Sequence, residues 1–238
     1  MKLIEKKDNQ IIFKAEIDES LANTIRRYVY QVPVLAIDEI EISKNDSPLY
    51  DETIAHRLGL VPLDNEKLGG QKTATLKLSS KKEGFVTSGE LTGSIKPVFD
   101  KIPITSLNKG QELDLVATAK LGIGSNHSKF SPGLIIYRNV VDIKIDKDCP
   151  LEISEICPLK VLSPHGGKIK VDDPLLCDMC NACVEYSKKQ GKEYVRIDPT
   201  KELLITIESF GQLSCEEMFT KTIEALKKDL AEVSKKIK

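Results

Sequence analysis

The chain has no tryptophan, and its six tyrosines and six phenylalanines bring the aromatic content to only 5%. A surface that stacks nucleic-acid bases on aromatic rings is therefore not expected. An excess of either charge is also missing, since 35 Lys and Arg stand against 36 Asp and Glu. No bulk positive field would draw in nucleic acid, so any contact with DNA or RNA must be local or supplied by a partner. Long apolar runs are absent too. The longest uncharged stretch near the start, Tyr28 to Ile37, is too short to span a bilayer and is broken by Pro33. The opening MKLIEKKDNQ has neither an apolar signal core nor transit-peptide character, so a cytoplasmic protein with no membrane association is expected. Acid pairs of the kind that two-metal catalysis requires are not recognisable.

What is present is ordinary for a soluble globular chain: 238 residues, 40% hydrophobic and 30% charged, enough for one large domain or two to three small ones. KLIE and IIFKAEI flank the turn residues Asp8-Asn9 and predict a hairpin. A helix follows, capped by Asp18 or Ser20, with Leu21, Ile25, Tyr28 and Val29 on one face. Arg27 falls on the opposite face and Arg26 at the edge, and Pro33 stops the helix. VLAIDEIEI predicts a strand, and YDETIAHRLGLVPL a short helix over about 51–58, ended by Gly59 and Pro62. From 65 to about 148 short strands alternate with Gly, Pro, Ser and Asn clusters, which marks a mostly β module. YVRID and ELLITIES predict a second hairpin around Asp198-Pro199-Thr200.

A long helix closes the chain, opened by the capping box Ser214 and Glu217. Its apolar residues Phe219, Ile223, Leu226, Leu230, Val233 and Ile237 are spaced 4, 3, 4, 3 and 4, a heptad seam. Most such seams pack on their own sheet. This helix, however, would be about 36 Å long at 1.5 Å per residue, more than a small module covers. The chain offers only one other amphipathic helix of similar quality, 18–31. Two apolar stripes without others to complete a bundle suggest an obligate dimer interface built from both.

Six cysteines in a reducing compartment read first as metal ligands or buried thiols. Five of them fall in 149–190, together with four prolines, a segment with little apolar core of its own. Cys177, Cys180 and Cys183 form C-x2-C-x2-C, as in half of a bacterial ferredoxin motif, but Ser187-Lys188 stands where the motif's Cys-Pro is expected. Cys157-Pro158 can supply that Cys-Pro from a distance. In two-cluster ferredoxins the fourth cysteine of each run serves the other cluster, so the two losses agree with one retained cluster. Its ligands would be Cys157, Cys177, Cys180 and Cys183, as 4Fe–4S or, with one cysteine disengaged, 3Fe–4S. Zinc on the same four thiolates is the alternative, although it more commonly pairs one CxxC with another. Cys149 reads as a loop or spare thiol and Cys215 as a buried structural one. Gly122, Gly124 and His127 mimic a dinucleotide fingerprint, but Pro132-Gly133 forbids the helix it needs, leaving a loop. His56 has no metal partner on its short helix, so a structural or interface role is the expectation.

Three strings carry a family resemblance: LANTIRRYVYQVPVLAIDEIEI (21–42), YDETIAHRLGLVPL (50–63) and GSNHSKFSP (124–132). They resemble the archaeal-type D-subunit family of DNA-directed RNA polymerase, which is similar to the third-largest subunit of eukaryotic RNA polymerase II and to the N-terminal domain of the bacterial α subunit. The resemblance runs nearly the whole chain and implies an α+β fold in three parts. These are a split dimerisation domain (1–45 and 191–238), a mostly β, α+β insert domain (46–148) and a small ferredoxin-like cluster-binding domain (149–190). In many archaeal members that last domain carries an iron–sulfur cluster, whereas eukaryotic relatives hold zinc with differently spaced cysteines. It implies a non-catalytic subunit of a nucleotidyltransferase holoenzyme, touching DNA only through that holoenzyme. The implied partners are small subunit L as the heterodimer mate, the two large catalytic subunits, and small subunits N and P. Arg26, Arg27, Glu52, His56 and Arg57 resemble the face that meets the large subunits. A stand-alone ferredoxin-like electron carrier and a zinc-stapled scaffold remain the competing readings.

Overall fold

Residues 1–65 and 73–237 are described here from a computed structural model. The chain opens with strands β1 (Lys2–Lys7) and β2 (Gln10–Ala15), joined by a turn at Asp8 and Asn9. Helix α1 (Glu19–Tyr28) starts where the Asp18 carboxylate accepts the Ser20 N–H at 2.8 Å and the Asp18 carbonyl takes the Ala22 N–H at 3.0 Å. A short 3-10 turn ends at Gln31, ahead of Pro33. Strand β3 (Val34–Asn45) begins with four buried residues and then alternates. Helix α2 (Asp51–Gly59) carries Asp51 and Glu52 in its first turn and His56 and Arg57 in its last, both favourable to the helix dipole.

The β-rich middle follows. It comprises β4 (Thr73–Ser80), β5 (Gly84–Thr87), β6 (Thr92–Gly93), β7 (Pro103–Leu107) and β8 (Leu113–Gly122). Strand β4 alternates exposed and buried residues without a break, the pattern of a sheet with one wet face. One sheet has the order β3-β8-β4-β6, and β5 pairs with β7 in a separate two-stranded sheet. Leu35, Ile37, Ile54, Leu58, Leu76, Leu78 and Leu115 are buried together with α2 over the sheet, so this part has a hydrophobic core of its own. The resemblance to the dinucleotide fingerprint ends in a loop: Gly122 accepts the Phe130 ring against its backbone, where a Cβ would come within 2.7 Å of ring carbons.

Strand β9 (Gly133–Ile145) leads into α3 (Ile153–Ile156), the hairpin β10 (Leu162–His165) with β11 (Lys168–Val171), and α4 (Ala182–Lys189). Strand β12 (Val195–Ser209) and helix α5 (Cys215–Ile237) close the chain. The remaining sheet has the order β1-β2-β12-β9. Two units emerge: Met1–Glu5, Ile12–Ala22 and Ile136–Thr206 in one, and Lys6–Ile11, Asn23–Ile135 and Ile207–Lys238 in the other.

The structure departs from the sequence expectation in two places. No hairpin forms at Asp198-Pro199-Thr200, because β12 is one continuous strand through them. Proline removes one N–H donor but its φ suits extended backbone, so it can sit where a strand does not need that donor. Strand pairing also straddles the expected domain limits: β3, ending at residue 45, belongs to the insert's sheet, and β9 belongs to the sheet of the chain ends. Cys149 stands in the loop after β9, as expected, but is buried there. It is buried with Ile153, Leu162, Ile169, Cys183 and Val195, a small core that borrows from the ends of β9 and β12. Cys215 is buried as expected.

Candidate functional site

Three sets of residues stand out. The first is the cysteine segment. Cys157 ends α3, and the Val161 N–H points at its sulfur at 3.4 Å, after Lys160 turns the chain with a φ of 50°. Cys177 follows a 3-10 turn begun at Pro174, whose entry Asp173 caps by accepting the Leu175 N–H at 2.9 Å. Cys180 lies exposed between Met179 and Asn181, both at a φ of 60°, so the loop reverses direction on either side of it. Cys183 sits in the first turn of α4 and is buried.

Burial pushes the Cys183 thiol up to about 11, against a lowering by the Val184 N–H, while Cys157 and Cys177 push it further. Burial also raises Cys177, opposed by the Met179 N–H, with Cys157 and Cys180 adding to the rise. The thiols thus feel one another, and backbone amides are directed at three of the sulfurs. Such amides favour a thiolate, the form that binds soft metals. Burial outweighs the amides at Cys177 and Cys183, so both rest as thiols; as sulfur donors, the four cysteines have the chemistry that iron or zinc takes once deprotonated. Among the described residues, no group of three or more His, Cys, Asp or Glu stands in an arrangement that holds a metal ion.

Two contacts around the cysteines are not legible in the sequence. Arg138 on β9 donates from Nη1 to the Cys177 carbonyl at 3.2 Å and from Nη2 to the Leu175 carbonyl, tying the cysteine loop to the strand. Ser187, at the position of the missing cysteine, is fully buried and donates to the Cys183 carbonyl at 2.8 Å. No sequence motif signals either contact.

The second set is the pair of helix faces. On α1 the buried residues are Ala22 and Ile25, continued by Val29, while Leu21 is 44% exposed. Tyr28 is half-buried and donates to Asp229 of α5 at 3.2 Å. Arg26 turns back onto Asn23, and Arg27 is exposed. On α5 the capping box forms as expected, with Ser214 and Glu217 exchanging bonds of 3.0 and 3.2 Å. The inward stripe is Cys215, Met218, Thr222 and Leu226, one residue off the predicted seam at its start. Phe219 and Ile223 are half-buried at its edge. Beyond Leu226 the seam leaves the body: Leu230, Val233 and Ile237 are 59%, 52% and 80% exposed. Thr222 escaped notice because it is polar, yet its hydroxyl donates to the Met218 carbonyl at 2.7 Å and so can be buried.

The third set lies on α2. Ile54 and Leu58 are buried, while Glu52, His56 and Arg57 face outward. Arg57 Nη1 donates to the Ile104 carbonyl at 2.9 Å. His56 borders a cavity of about 150 Å³ shared with Asp38, His127 and Lys129. Hydrogen bonds from Lys120 and then Lys129 hold the Asp38 carboxyl below its ordinary value. A wider groove of about 780 Å³ runs along α1 past Asn23, Arg27, Tyr28 and Gln31 to Ser125 and Ser128.

Comparison with known proteins gives a consistent answer. Residues 40–137 match the family model described as the RNA polymerase Rpb3/RpoA insert domain. Over 94% of its length the chain is 32% identical to the DNA-directed RNA polymerase subunit Rpo3 of Thermococcus kodakarensis, covering 92% of that protein. The Rpo3 of Pyrococcus furiosus is 33% identical over 95% of the chain and 92% of its own length. The DNA-directed RNA polymerase II subunit rpb3 of Dictyostelium discoideum is 31% identical over 98% of the chain and 93% of its own length.

Proposed function

The chain belongs to the Rpo3/Rpb3 family of DNA-directed RNA polymerase subunits, and on that premise we propose that it is the assembly subunit that pairs with small subunit L to form the platform for the large catalytic subunits. Nucleotidyl transfer belongs to the holoenzyme. The observation that carries the pairing is the outer half of α5, where Leu230, Val233 and Ile237 continue an apolar seam into solvent. A seam that its own chain does not cover asks for a helix or sheet from outside. Leu21 on α1 offers a second uncovered apolar residue, and Ile25, Tyr28, Phe219, Ile223 and Leu226 flank the same two stripes. Arg26, Arg27, Glu52, His56 and Arg57 form the candidate face for the large subunits, and subunits N and P complete the proposed set. Among the described residues no helix is long and apolar enough to cross a membrane.

Cys157, Cys177, Cys180 and Cys183 are proposed to hold one iron–sulfur cluster within a ferredoxin-like domain at 149–190. When bound, the cluster supplies a covalent staple between two arms of that segment and a redox-active centre. The chain's own part is to aim the Val161, Met179 and Val184 amides at the sulfurs and to reverse direction around Cys180.

The test is co-expression with and without subunit L under anaerobic conditions, followed by size-exclusion chromatography and metal and sulfide analysis. A one-to-one complex containing iron and sulfide is expected. A stable monomer that ignores subunit L would sink the pairing, and one zinc without iron or sulfide would sink the cluster. Redox turnover by the isolated chain, with no partner bound, would favour an electron carrier instead.

A further inference from the structure

The four cysteines of the proposed ligand set are not held alike. Cys183 is 7% exposed, packs with Ile153, Leu162 and Val195, and its carbonyl accepts the buried Ser187 hydroxyl at 2.8 Å. Cys177 closes a 3-10 turn, its N–H donating to the Pro174 carbonyl at 3.2 Å while its own carbonyl takes Arg138 Nη1 at 3.2 Å. Cys157 accepts the Lys160 N–H at 3.1 Å on its carbonyl and the Val161 N–H at 3.4 Å on its sulfur. Cys180 differs from all three. It is the exposed one, and its N–H donates to the Asp178 carboxylate at 3.1 Å, a bond inside the loop itself. Met179 and Asn181 flank it at a φ of 60°, a region that a side chain such as methionine's rarely takes. The loop is thus anchored at Cys177 and Cys183 and presents Cys180 at its outer bend.

We propose that Cys180 is the releasable ligand of the four: Cys157, Cys177 and Cys183 form the fixed set, and the iron that faces Cys180 is the one this chain lets go. The inference rests on the iron–sulfur reading and adds which corner opens. A thiolate leaves most readily where oxidant and water reach it and where no packing has to break for its side chain to swing away. Only Cys180 meets both conditions. In its release one electron passes to dioxygen, one Fe²⁺ departs, and the freed Cys180 thiolate takes a proton from water, which leaves a 3Fe–4S form on the other three cysteines. Because Cys183 stays in the segment's small core and Cys177 stays tied to β9, residues 149–190 remain folded through the change.

The test purifies the full-length chain anaerobically with each of the four cysteines replaced in turn by alanine, which unlike serine offers iron no oxygen. Iron and sulfide analysis and electron paramagnetic resonance read what remains. Cys180→Ala should keep its sulfide, lose about a quarter of its iron and show the signal of an oxidised 3Fe–4S form, whereas the other three variants should fall about tenfold in iron content. In the unsubstituted chain, limiting iodoacetamide in air should label Cys180 about tenfold faster than Cys157, Cys177 or Cys183, in step with loss of that same quarter of the iron. Peptide mass mapping reads the order. Where Cys180→Ala gives no folded chain, the labelling order alone decides. Iron lost from Cys180→Ala as completely as from Cys183→Ala, a 3Fe–4S signal kept instead by another variant, or first labelling at another cysteine overturns this inference and spares the cluster. A wild-type chain that holds zinc, or no iron, overturns both.

Discussion

Arg138 joins a strand to the cysteine loop through two carbonyls, those of Leu175 and Cys177. If that loop binds a cluster, the guanidinium fork is what holds the ligand-bearing turn in place before the metal arrives. Arg138→Ala should lower iron affinity about 10–100-fold, the usual effect of losing an outer-shell partner. Chelator competition measures it, and partial rescue by Arg138→Lys would separate charge from fork geometry. Asp38 makes a second prediction at this scale. Lys120 and Lys129 depress its carboxyl below the ordinary aspartate value of 3.8, so its contribution to stability is complete above that value. That contribution fades as pH falls below 3.8 and through the lower folded value. Asp38→Asn should cost about 1 kcal/mol at neutral pH and remove part of the acid limb of the unfolding curve, followed by chemical denaturation at several pH values.

At the scale of the element, α5 divides into two halves with different consequences. Met218 is fully buried, so Met218→Ala should destabilise the chain by about 2–4 kcal/mol. Leu230 and Val233 are more than half exposed, so Leu230→Lys with Val233→Lys should leave chain stability within about 0.5 kcal/mol while abolishing the proposed pairing with subunit L. Denaturation midpoints and co-elution read the two effects separately. A heptad count locates the helix and its seam but weighs Phe219 and Met218 only by spacing. Which of two adjacent stripes turns inward depends on the sheet against which the helix lies. Strand β12 makes the same point: Asp198-Pro199 has turn chemistry, but both residues lie within one continuous strand of a sheet.

On the scale of the whole molecule, the cysteine segment and the insert have separate cores, one around Ile153 and Val195 and the other around Leu58 and Leu115. Replacing Cys177, Cys180 and Cys183 together by serine should therefore loosen 149–190 and leave the insert folded. Hydrogen exchange should show lost protection there, with the proposed assembly onto subunit L retained. Loss of assembly would mean that the two halves of the dimerisation surface are coupled through the cysteine segment.

Much of this protein was set by local chemistry that the sequence displays directly. The Asp8-Asn9 turn, the Asp18 and Ser214 caps, the alternation of β4 and the three family strings each depend on residues close in the chain. The β-rich insert and the family could be read from them. What needed the tertiary structure was every relation between distant residues. These are the strands that β3 and β9 join, the burial of Cys149, Arg138 reaching over to Cys177, and Arg57 reaching the Ile104 carbonyl. Hydrophobic periodicity says that a face will be covered but not by what, because burial is a property of the neighbours, and only the folded chain supplies them.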